Sequence, residues 1–435
     1  MKIAKTFRKA LLPMAAAAAL GAASSAHAAV FVQCAPGNAG VAADGSIVPA
    51  YNADTLPAGA ACKHLSAGDG FISMADGRTL YSFGFADVSA KPAAQIMLDS
   101  LAANFSAPTI KLKQNQDFYL TLTNVSMAMR PDLFDPHTVH FHGYPQAAPV
   151  FDGMPEGSFG VNMGSSVTYY YKLNDPGTYM YHCHQEATEH MQMGMLGNLY
   201  VMPEQDGLLT LSGPALAALQ TKYPAASTTA NSKPLAGYVY NDNDGSTGYH
   251  VAVPLQLASM DHVFHELHLG VQPLPFKDMK DTYAMINGRG YPDTVNAAAL
   301  PAPQAKVDVL VPTAYPTSAD VPSSQPINAL VTATKGDRVL LRLSNLSVTQ
   351  YFTITAQGLP MKVVGAGARH LRGPSGKDLY YDTTSVTLGG GESAEVMIDT
   401  SQVEPGTYFL YSTNLNYLSN FDQDSGGMMT EIVIN

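Results

Sequence analysis

Residues 176–184 read Pro-Gly-Thr-Tyr-Met-Tyr-His-Cys-His, and residues 405–413 repeat the pattern as Pro-Gly-Thr-Tyr-Phe-Leu-Tyr-Ser-Thr. In each copy a Pro-Gly turn precedes a run rich in Tyr and Thr, which is typical of a β-strand that follows a turn. Each copy also has an earlier strand-like run that ends in Asn, at 119–124 and 339–345, and a later Gly-Met that precedes an apolar run. This self-similarity indicates two structural repeats in one chain.

Short segments rich in Val, Thr and Tyr alternate with Gly, Pro and Asn turns through both repeats, and the chain contains 37 Gly and 29 Pro in 435 residues. This composition favours a turn-rich β protein over a helical one. The sequence predicts an all-β fold of two Greek-key β-sandwich domains with antiparallel sheets. The predicted boundaries are 29–202 for the first domain, 203–237 for a linker with a short helix near 215–223, and 238–435 for the second domain.

The first 28 residues have the pattern of a cleaved secretory signal. A basic start precedes an apolar run over 10–23, and Ala26-His27-Ala28 matches the small-x-small cleavage pattern. We therefore expect a periplasmic or secreted protein, and no later apolar run is long enough to span a membrane. The formal charge is −11 with no basic run, which disfavours nucleic acid and anionic lipid as partners. Small molecules, metal cations or redox proteins are the expected partners.

Three cysteines are too few for a disulfide-dense scaffold, an all-cysteine zinc site or a four-thiolate iron–sulfur cluster. Cys34 and Cys62 lie near the predicted mature N-terminus of an exported protein, so we predict a disulfide between them. Cys183 then remains as a free thiol.

Cys183 lies within a histidine-rich constellation. His137-Thr-Val-His140-Phe-His142-Gly143 precedes His182-Cys183-His184 by about forty residues. Because alternate side chains of a strand share a face, His140 and His142 point together, and Cys183 faces away from its two histidine neighbours. A thiolate, two imidazoles and a thioether form the donor set of blue-copper centres. The chain offers such a set in Cys183, His137, His190 and Met195.

In these motifs, and in its two repeats, the chain resembles the laccase-like multicopper oxidases of the two-domain cupredoxin superfamily. The resemblance implies cupredoxin-like domains, copper cofactors and a type 1 copper held by His137, Cys183, His190 and Met195. It also implies that one half of an eight-histidine trinuclear copper cluster comes from His140, His142, His182 and His184. Asp152, in an Asp-Gly element, resembles a residue that helps deliver protons near that cluster, although Asp-Gly is also an ordinary turn.

The chain departs from the family pattern in two places. The interval from Cys183 to His190 is two residues longer than usual, so we place the insertion within 185–189 and keep Met193 as the rival to Met195. The second repeat lacks the family's histidines, because alignment of the repeats puts Phe352, Thr355 and Gln357 where His137, His140 and His142 stand. Residues 410–414 also contain neither His nor Cys. The resemblance therefore includes a degenerate second domain that cannot complete the trinuclear cluster.

The resemblance implies an exported copper-dependent oxidoreductase. It would take single electrons from a phenolic, metal-ion or protein donor at the type 1 copper and pass them through Cys183 to a second copper at His140, His142, His182 and His184. The missing histidines motivate an alternative, a blue-copper electron-transfer or copper-binding protein without oxidase turnover. A copper nitrite reductase is a third interpretation, since that family shares two domains and a trimer, but the motif spacing is laccase-like. A homotrimer is one expected assembly.

Three further histidines, His262, His265 and His268, recur at intervals of three. This spacing places them on one face of a helix, whereas on a strand they would alternate between faces. A second metal site and a structural role both remain open for them.

Overall fold

The computed structural model describes residues 40–41, 47–48, 59–304 and 320–435. The predicted signal segment and Cys34 lie outside the described residues. Cys62 is disulfide-bonded, whereas Cys183 is a free, buried thiol. Among the described residues, no helix has the length and apolar character needed to cross a bilayer.

The first sandwich packs a six-stranded sheet, in the order β1-β2-β5-β10-β9-β7, against a four-stranded sheet, in the order β4-β3-β6-β8. Its strands are β1 (Gly40–Val41), β2 (Ile47–Val48), β3 (Ala61–Ser73), β4 (Thr79–Asp87), β5 (Ala107–Lys113), β6 (Gln116–Asn124), β7 (His140–His142), β8 (Ser166–Leu173), β9 (Gly177–His182) and β10 (Leu196–Met202).

The sheets are mixed, not purely antiparallel as the sequence predicted. β3 pairs with β6 in parallel, and β5 pairs with β10 in parallel. The connection from β4 to β5 contains the helix α1 (Ala93–Ile96). Each parallel pair joins strands that are not consecutive in the chain, because parallel neighbours require a crossover connection.

The segment between the two sandwiches contains the predicted short helix. The helices after α1 are α2 (Ala187–Met193), α3 (Gly207–Thr210), α4 (Gly213–Lys222) and α5 (His262–Leu269). Short 3-10 turns lie at Pro149–Phe151, Glu204–Asp206, Phe276–Asp278, Asp293–Val295 and Leu415–Tyr417. Two small hairpins follow α4, formed by β11 (Thr229–Ala230), β12 (Lys233–Pro234), β13 (Gly237–Tyr238) and β14 (Gly248–Tyr249).

The second sandwich repeats the topology of the first. β15 pairs with β20 in parallel, as β3 pairs with β6, and β19 pairs with β28 in parallel, as β5 pairs with β10. Its strands, with the outlying pair β17–β18, are β15 (Val251–Met260), β16 (Tyr283–Ile286), β17 (Leu300–Pro301), β18 (Ser323–Gln325), β19 (Val331–Ala333), β20 (Arg338–Asn345), β21 (Phe352–Ala356), β22 (Met361–Ala366), β23 (Arg369–His370), β24 (Tyr381–Thr383), β25 (Val386–Leu388), β26 (Ser393–Asp399), β27 (Gly406–Ser412) and β28 (Met429–Ile434).

The core of the first sandwich explains how the histidines of β7 are oriented. Phe141 is completely buried, and its ring stacks on that of Tyr171 with centroids 4.0 Å apart. Because side chains alternate along a strand, His140 and His142 on either side of Phe141 project to the opposite face, where both are half-buried. Burial of one aromatic side chain therefore directs two imidazoles to a common face.

Candidate metal centre

A thiol and two imidazoles from three separate segments converge in the first sandwich. His137 precedes β7, Cys183 follows β9, and His190 lies in α2. The Sγ atom of Cys183 is 3.2 Å from Nδ1 of His190 and 3.9 Å from Nδ1 of His137. All three residues are buried, and their donor atoms lie within 4.8 Å of one another.

These distances fit a bound metal ion. An ion about 2.0–2.3 Å from each nitrogen and sulfur donor, with angles near those of tetrahedral or trigonal sites, separates the donors by about 3.5–3.8 Å. The two measured S···N distances bracket that range. The donor set of one thiolate and two imidazoles also matches the preference of copper.

Backbone hydrogen bonds hold Cys183 and its sulfur in place. The Thr138 N–H donates to Sγ of Cys183 at 3.4 Å, and the Cys183 N–H donates to the Met195 carbonyl at 3.1 Å. This hydrogen bond places the Met195 backbone next to that of Cys183. Both Met193 and Met195 are buried in the same core. The choice between these two thioethers stays a prediction.

The two additional residues after Cys183 are accommodated in a turn and a helix that the sequence did not predict. Gln185 and Glu186 form the turn, and α2 follows at Ala187–Met193. The His190 N–H donates to the Glu186 carbonyl at 3.0 Å, so the imidazole is carried on a helical turn. The longer interval still returns His190 to Cys183, because the helix shortens the path of the chain.

Burial and charge act differently on the two imidazoles. Burial, followed by the charge of His190, lowers the pKa of His137 well below its ordinary value. Burial also opposes protonation of His190, but the attraction of Cys183 and of the nearby Asp135 carboxylate outweighs it and raises the pKa of His190 to about 10. The Asp135 Oδ2 atom lies 3.8 Å from Nε2 of His190. Asp135 was missed in the sequence, where an isolated Asp before Pro136 carries no recognisable signal.

The second predicted group of histidines also comes together. His140 lies directly opposite His182 in the pairing of β7 with β9. Nδ1 of His142 is 3.2 Å from Nε2 of His182, and one donor atom from each of these three residues lies within 4.8 Å of the others. The ring of His184 is 5.1 Å from that of His140, measured between centroids. All four predicted histidines therefore form one cluster.

Asp152 contacts this cluster as predicted from its Asp-Gly element. Its carbonyl oxygen is 2.6 Å from Nδ1 of His140, and its Oδ1 is 3.3 Å from the same nitrogen. Gly153 has φ +74°, and a Cβ there would stand 2.2 Å from the Val139 carbonyl oxygen. Only glycine fits this turn, which brings Asp152 against β7. Burial raises the pKa of Asp152, while the neighbouring His140 and His184 oppose the shift.

We expect the buried imidazole of His182 to make the metal-free protein sensitive to acid. Burial lowers the pKa of His182 to about 3, against an ordinary value of 6.5. The stability that comes from keeping this ring neutral is complete above pH 6.5 and declines as the pH falls towards 3, by about 1.4 kcal/mol per pH unit. In urea unfolding between pH 6.5 and 4, His182→Gln should lose less stability per pH unit than wild type. Equal slopes would contradict the prediction.

The second sandwich repeats the strand pairing without the ligands. Thr355 lies opposite Tyr411 between β21 and β27. This is the register in which His140 lies opposite His182 in the first sandwich. The Tyr411 hydroxyl donates to the side-chain oxygen of Gln357 at 2.9 Å. The register supports the alignment made from the sequence, so the chain's residues do not fit the family's eight-histidine cluster.

The histidines at intervals of three lie on α5. The Asp261 side chain accepts the Val263 N–H at 2.9 Å and so caps the helix, a signal that the sequence contained. His265 is buried with its ring nitrogens 2.6 Å and 3.0 Å from backbone carbonyl oxygens. Nε2 of His268 is 2.7 Å from the carboxylate of Glu189. These contacts give His265 and His268 structural roles that brace α5 and α2.

Comparison with known proteins identifies relatives of this chain. A family model described as multicopper oxidase matches residues 89–206, and a second with the same description matches residues 270–432. No curated protein sequence matches the chain.

Solved structures share the fold at low sequence identity. The blue copper oxidase from Nitrosomonas europaea is 20% identical with a TM-score of 0.56, and 85% of each chain is covered. The multicopper oxidase mgLAC is 18% identical with a TM-score of 0.55, over 86% of this chain and 85% of the other. The copper nitrite reductase from Nitrosomonas europaea is 13% identical with a TM-score of 0.51, over 86% of this chain and 94% of the other.

The family matches define a copper oxidoreductase, and the solved structures share its all-β fold. The chain belongs to the multicopper oxidase family, since the two family matches cover most of both sandwiches. Copper is therefore the cofactor that the family implies, and the donors around Cys183 fit it.

Proposed function

We propose that this protein is an exported oxidoreductase that accepts single electrons at a type 1 copper held by His137, Cys183, His190 and Met195. The observation that carries the proposal is the convergence of one thiol and two imidazole nitrogens within 4.8 Å in a buried position. Copper bound to such a donor set supplies one-electron redox chemistry.

The residues around the centre perform three tasks. Complete burial of Cys183 and His190 excludes water from the donors. The Thr138 N–H donates to the sulfur, and its hydroxyl accepts the His184 N–H at 2.9 Å, so one residue links the thiol to the histidine cluster. Cys183 is also covalently joined to His182 and His184, which gives a short path between the two centres.

The histidine cluster is the proposed electron-accepting site, with a second copper at His140, His142, His182 and His184. The Asp152 carboxyl lies 3.3 Å from Nδ1 of His140, and Asp152 is the proposed proton donor to the histidine cluster. A trinuclear cluster is not part of the proposal, because Thr355, Gln357 and Tyr411 replace the histidines that the second sandwich would need.

The electron donor and the cellular location are proposed from the amino-acid sequence. An acidic chain with no basic run favours a phenolic molecule, a metal ion or a redox protein as the electron donor. The signal pattern in residues 1–28 supports a periplasmic or secreted location. A homotrimer remains the proposed assembly, by resemblance to two-domain relatives.

One observation favours a second candidate function, a blue-copper electron-transfer or copper-binding protein without oxidase turnover. The second sandwich keeps the strand pairing of the first but presents a Tyr–Gln hydrogen bond in place of imidazole ligands. The thiolate centre would then exchange electrons with a partner without a complete site for oxygen.

Anaerobic reduction followed by exposure to air separates the two functions. The copper-loaded protein is mixed with hydroquinone or with Fe²⁺, and the visible thiolate-to-copper absorption band is followed. Both functions predict that the band disappears on reduction. The oxidoreductase proposal predicts sustained donor oxidation once air is admitted, whereas the alternative predicts none. Absence of the band in the copper-loaded protein would overturn the proposed type 1 centre.

A further inference from the structure

We propose that His140, His142 and His182 form a mononuclear three-histidine copper site, and that Gly391 of the second sandwich selects the donor atom of His142. The inference rests on the proposed function in taking copper as the metal, and it narrows the four histidines proposed there to the three whose donor atoms converge. It assigns the histidine-free second sandwich a positioning role at the cluster.

Two of the three rings have their donor atoms selected by backbone carbonyl groups. Nδ1 of His140 is 2.6 Å from the Asp152 carbonyl oxygen, and Nδ1 of His182 is 2.8 Å from the Cys183 carbonyl oxygen. A nitrogen at that distance from a carbonyl oxygen carries the proton and donates it. Nε2 therefore carries the lone pair in both rings. Such second contacts fix the tautomer and orientation of metal-ligating histidines.

The ring of His142 is positioned by the backbone of the second sandwich. Gly391 lies in the turn between β25 and β26, and a Cβ placed there would stand 2.5 Å from Nε2 and 2.7 Å from Cε1 of His142. The glycine backbone therefore occupies the space in front of Nε2. Nδ1 of the same ring lies 3.2 Å from Nε2 of His182, on the side of the cluster. His142 thus offers Nδ1 to the copper ion, whereas His140 and His182 offer Nε2.

The number of converging donors matches a single ion. One atom from each of His140, His142 and His182 lies within 4.8 Å of the others, a set that does not include His184. No imidazole is supplied from the equivalent strands of the second sandwich, where Tyr411 bonds Gln357. Three nitrogens are sufficient for one copper and insufficient for three.

The test uses Cys183→Ser full-length protein, in which copper at the thiolate centre cannot mask the cluster. After copper loading and gel filtration, elemental analysis should give about one copper per chain, with an electron paramagnetic resonance signal split by three nitrogens. Two or more coppers per chain, or bound copper without a signal, would overturn the mononuclear site.

Gly391→Ala in the same background tests the positioning role. A methyl group at 391 would stand 2.5 Å from Nε2 of His142 and force the ring out of its position, so the dissociation constant for copper should rise by about 10- to 100-fold, with loss of the three-nitrogen pattern. Gly376→Ala is the matched control, because Gly376 has φ +81°, close to the +87° of Gly391, but its Cβ would meet no atom within 4 Å. The control should keep both the affinity and the pattern.

Thermal unfolding of the two metal-free glycine variants shows whether backbone strain alone accounts for the result. We expect similar midpoints for Gly391→Ala and Gly376→Ala, since both replace a glycine at positive φ. Unchanged copper affinity and nitrogen pattern in Gly391→Ala would overturn the role of Gly391. Failure of the proposed type 1 centre would appear separately, as a wild-type protein without the thiolate-to-copper band.

Discussion

Cys183→Ser should abolish the visible absorption of the copper-loaded protein and its oxidation of any donor. A serine hydroxyl is a hard, weakly acidic ligand, so it supplies neither the thiolate-to-copper transition nor the soft donor that favours copper. The variant should bind one copper fewer per chain than wild type. Absorption spectroscopy with elemental analysis measures both effects.

The control for this variant is His262→Gln. His262 lies on α5, and its ring bonds Thr282 outside the Cys183 centre, so this variant should keep the wild-type spectrum. Similar thermal unfolding of the metal-free Cys183→Ser and wild-type proteins would show that the fold is retained. Persistence of the visible band in Cys183→Ser would disprove the assignment of the thiolate ligand.

Asp87→Ala should produce the largest loss of stability among the ion-pair variants. The ammonium group of Lys63 is completely buried and lies 2.5 Å from the Asp87 carboxylate, which is 10% exposed. Burial lowers the pKa of Lys63, and the Asp87 carboxylate opposes that shift. Removal of the carboxylate leaves a buried amine without its partner, which costs about 3–5 kcal/mol in the free energy of unfolding.

Urea unfolding of the metal-free proteins measures this cost. Asp278→Ala is the control, because it disrupts the Lys277–Asp278 pair, in which both side chains are mostly exposed. Exposed pairs contribute little, so the control should unfold at the wild-type urea concentration. If Asp87→Ala also unfolded there, the buried pair would not stabilise this fold as we describe.

Internal self-similarity was sufficient to predict the two repeats, whereas the two sets of donors were predicted from their motifs and the family resemblance. Alternation along a strand placed His140 and His142 on one face, and burial of Phe141 between them confirms the physical basis of that prediction. The repeat register also predicted Thr355 at the position of His140 in the second sandwich. These features depend on local order in the chain, which a sequence displays directly.

Other features depend on contacts between distant segments and were not predicted. The approach of Gly391 to His142 joins residues of different sandwiches, and no local pattern marks it beyond the triple glycine at 389–391. The helix α2 was missed because a short insertion carries weak periodicity. The parallel strand pairs were missed because they join strands that are far apart in the chain, and the antiparallel prediction for these sheets was wrong.

The central claim is that this member of the multicopper oxidase family has a thiolate copper centre at Cys183 but lacks a trinuclear cluster. Copper analysis of the loaded wild-type protein, combined with its visible spectrum, tests the claim most directly. The account predicts two copper ions per chain together with a thiolate-to-copper band. Three or more copper ions per chain with oxygen consumption, or the absence of that band, would contradict it.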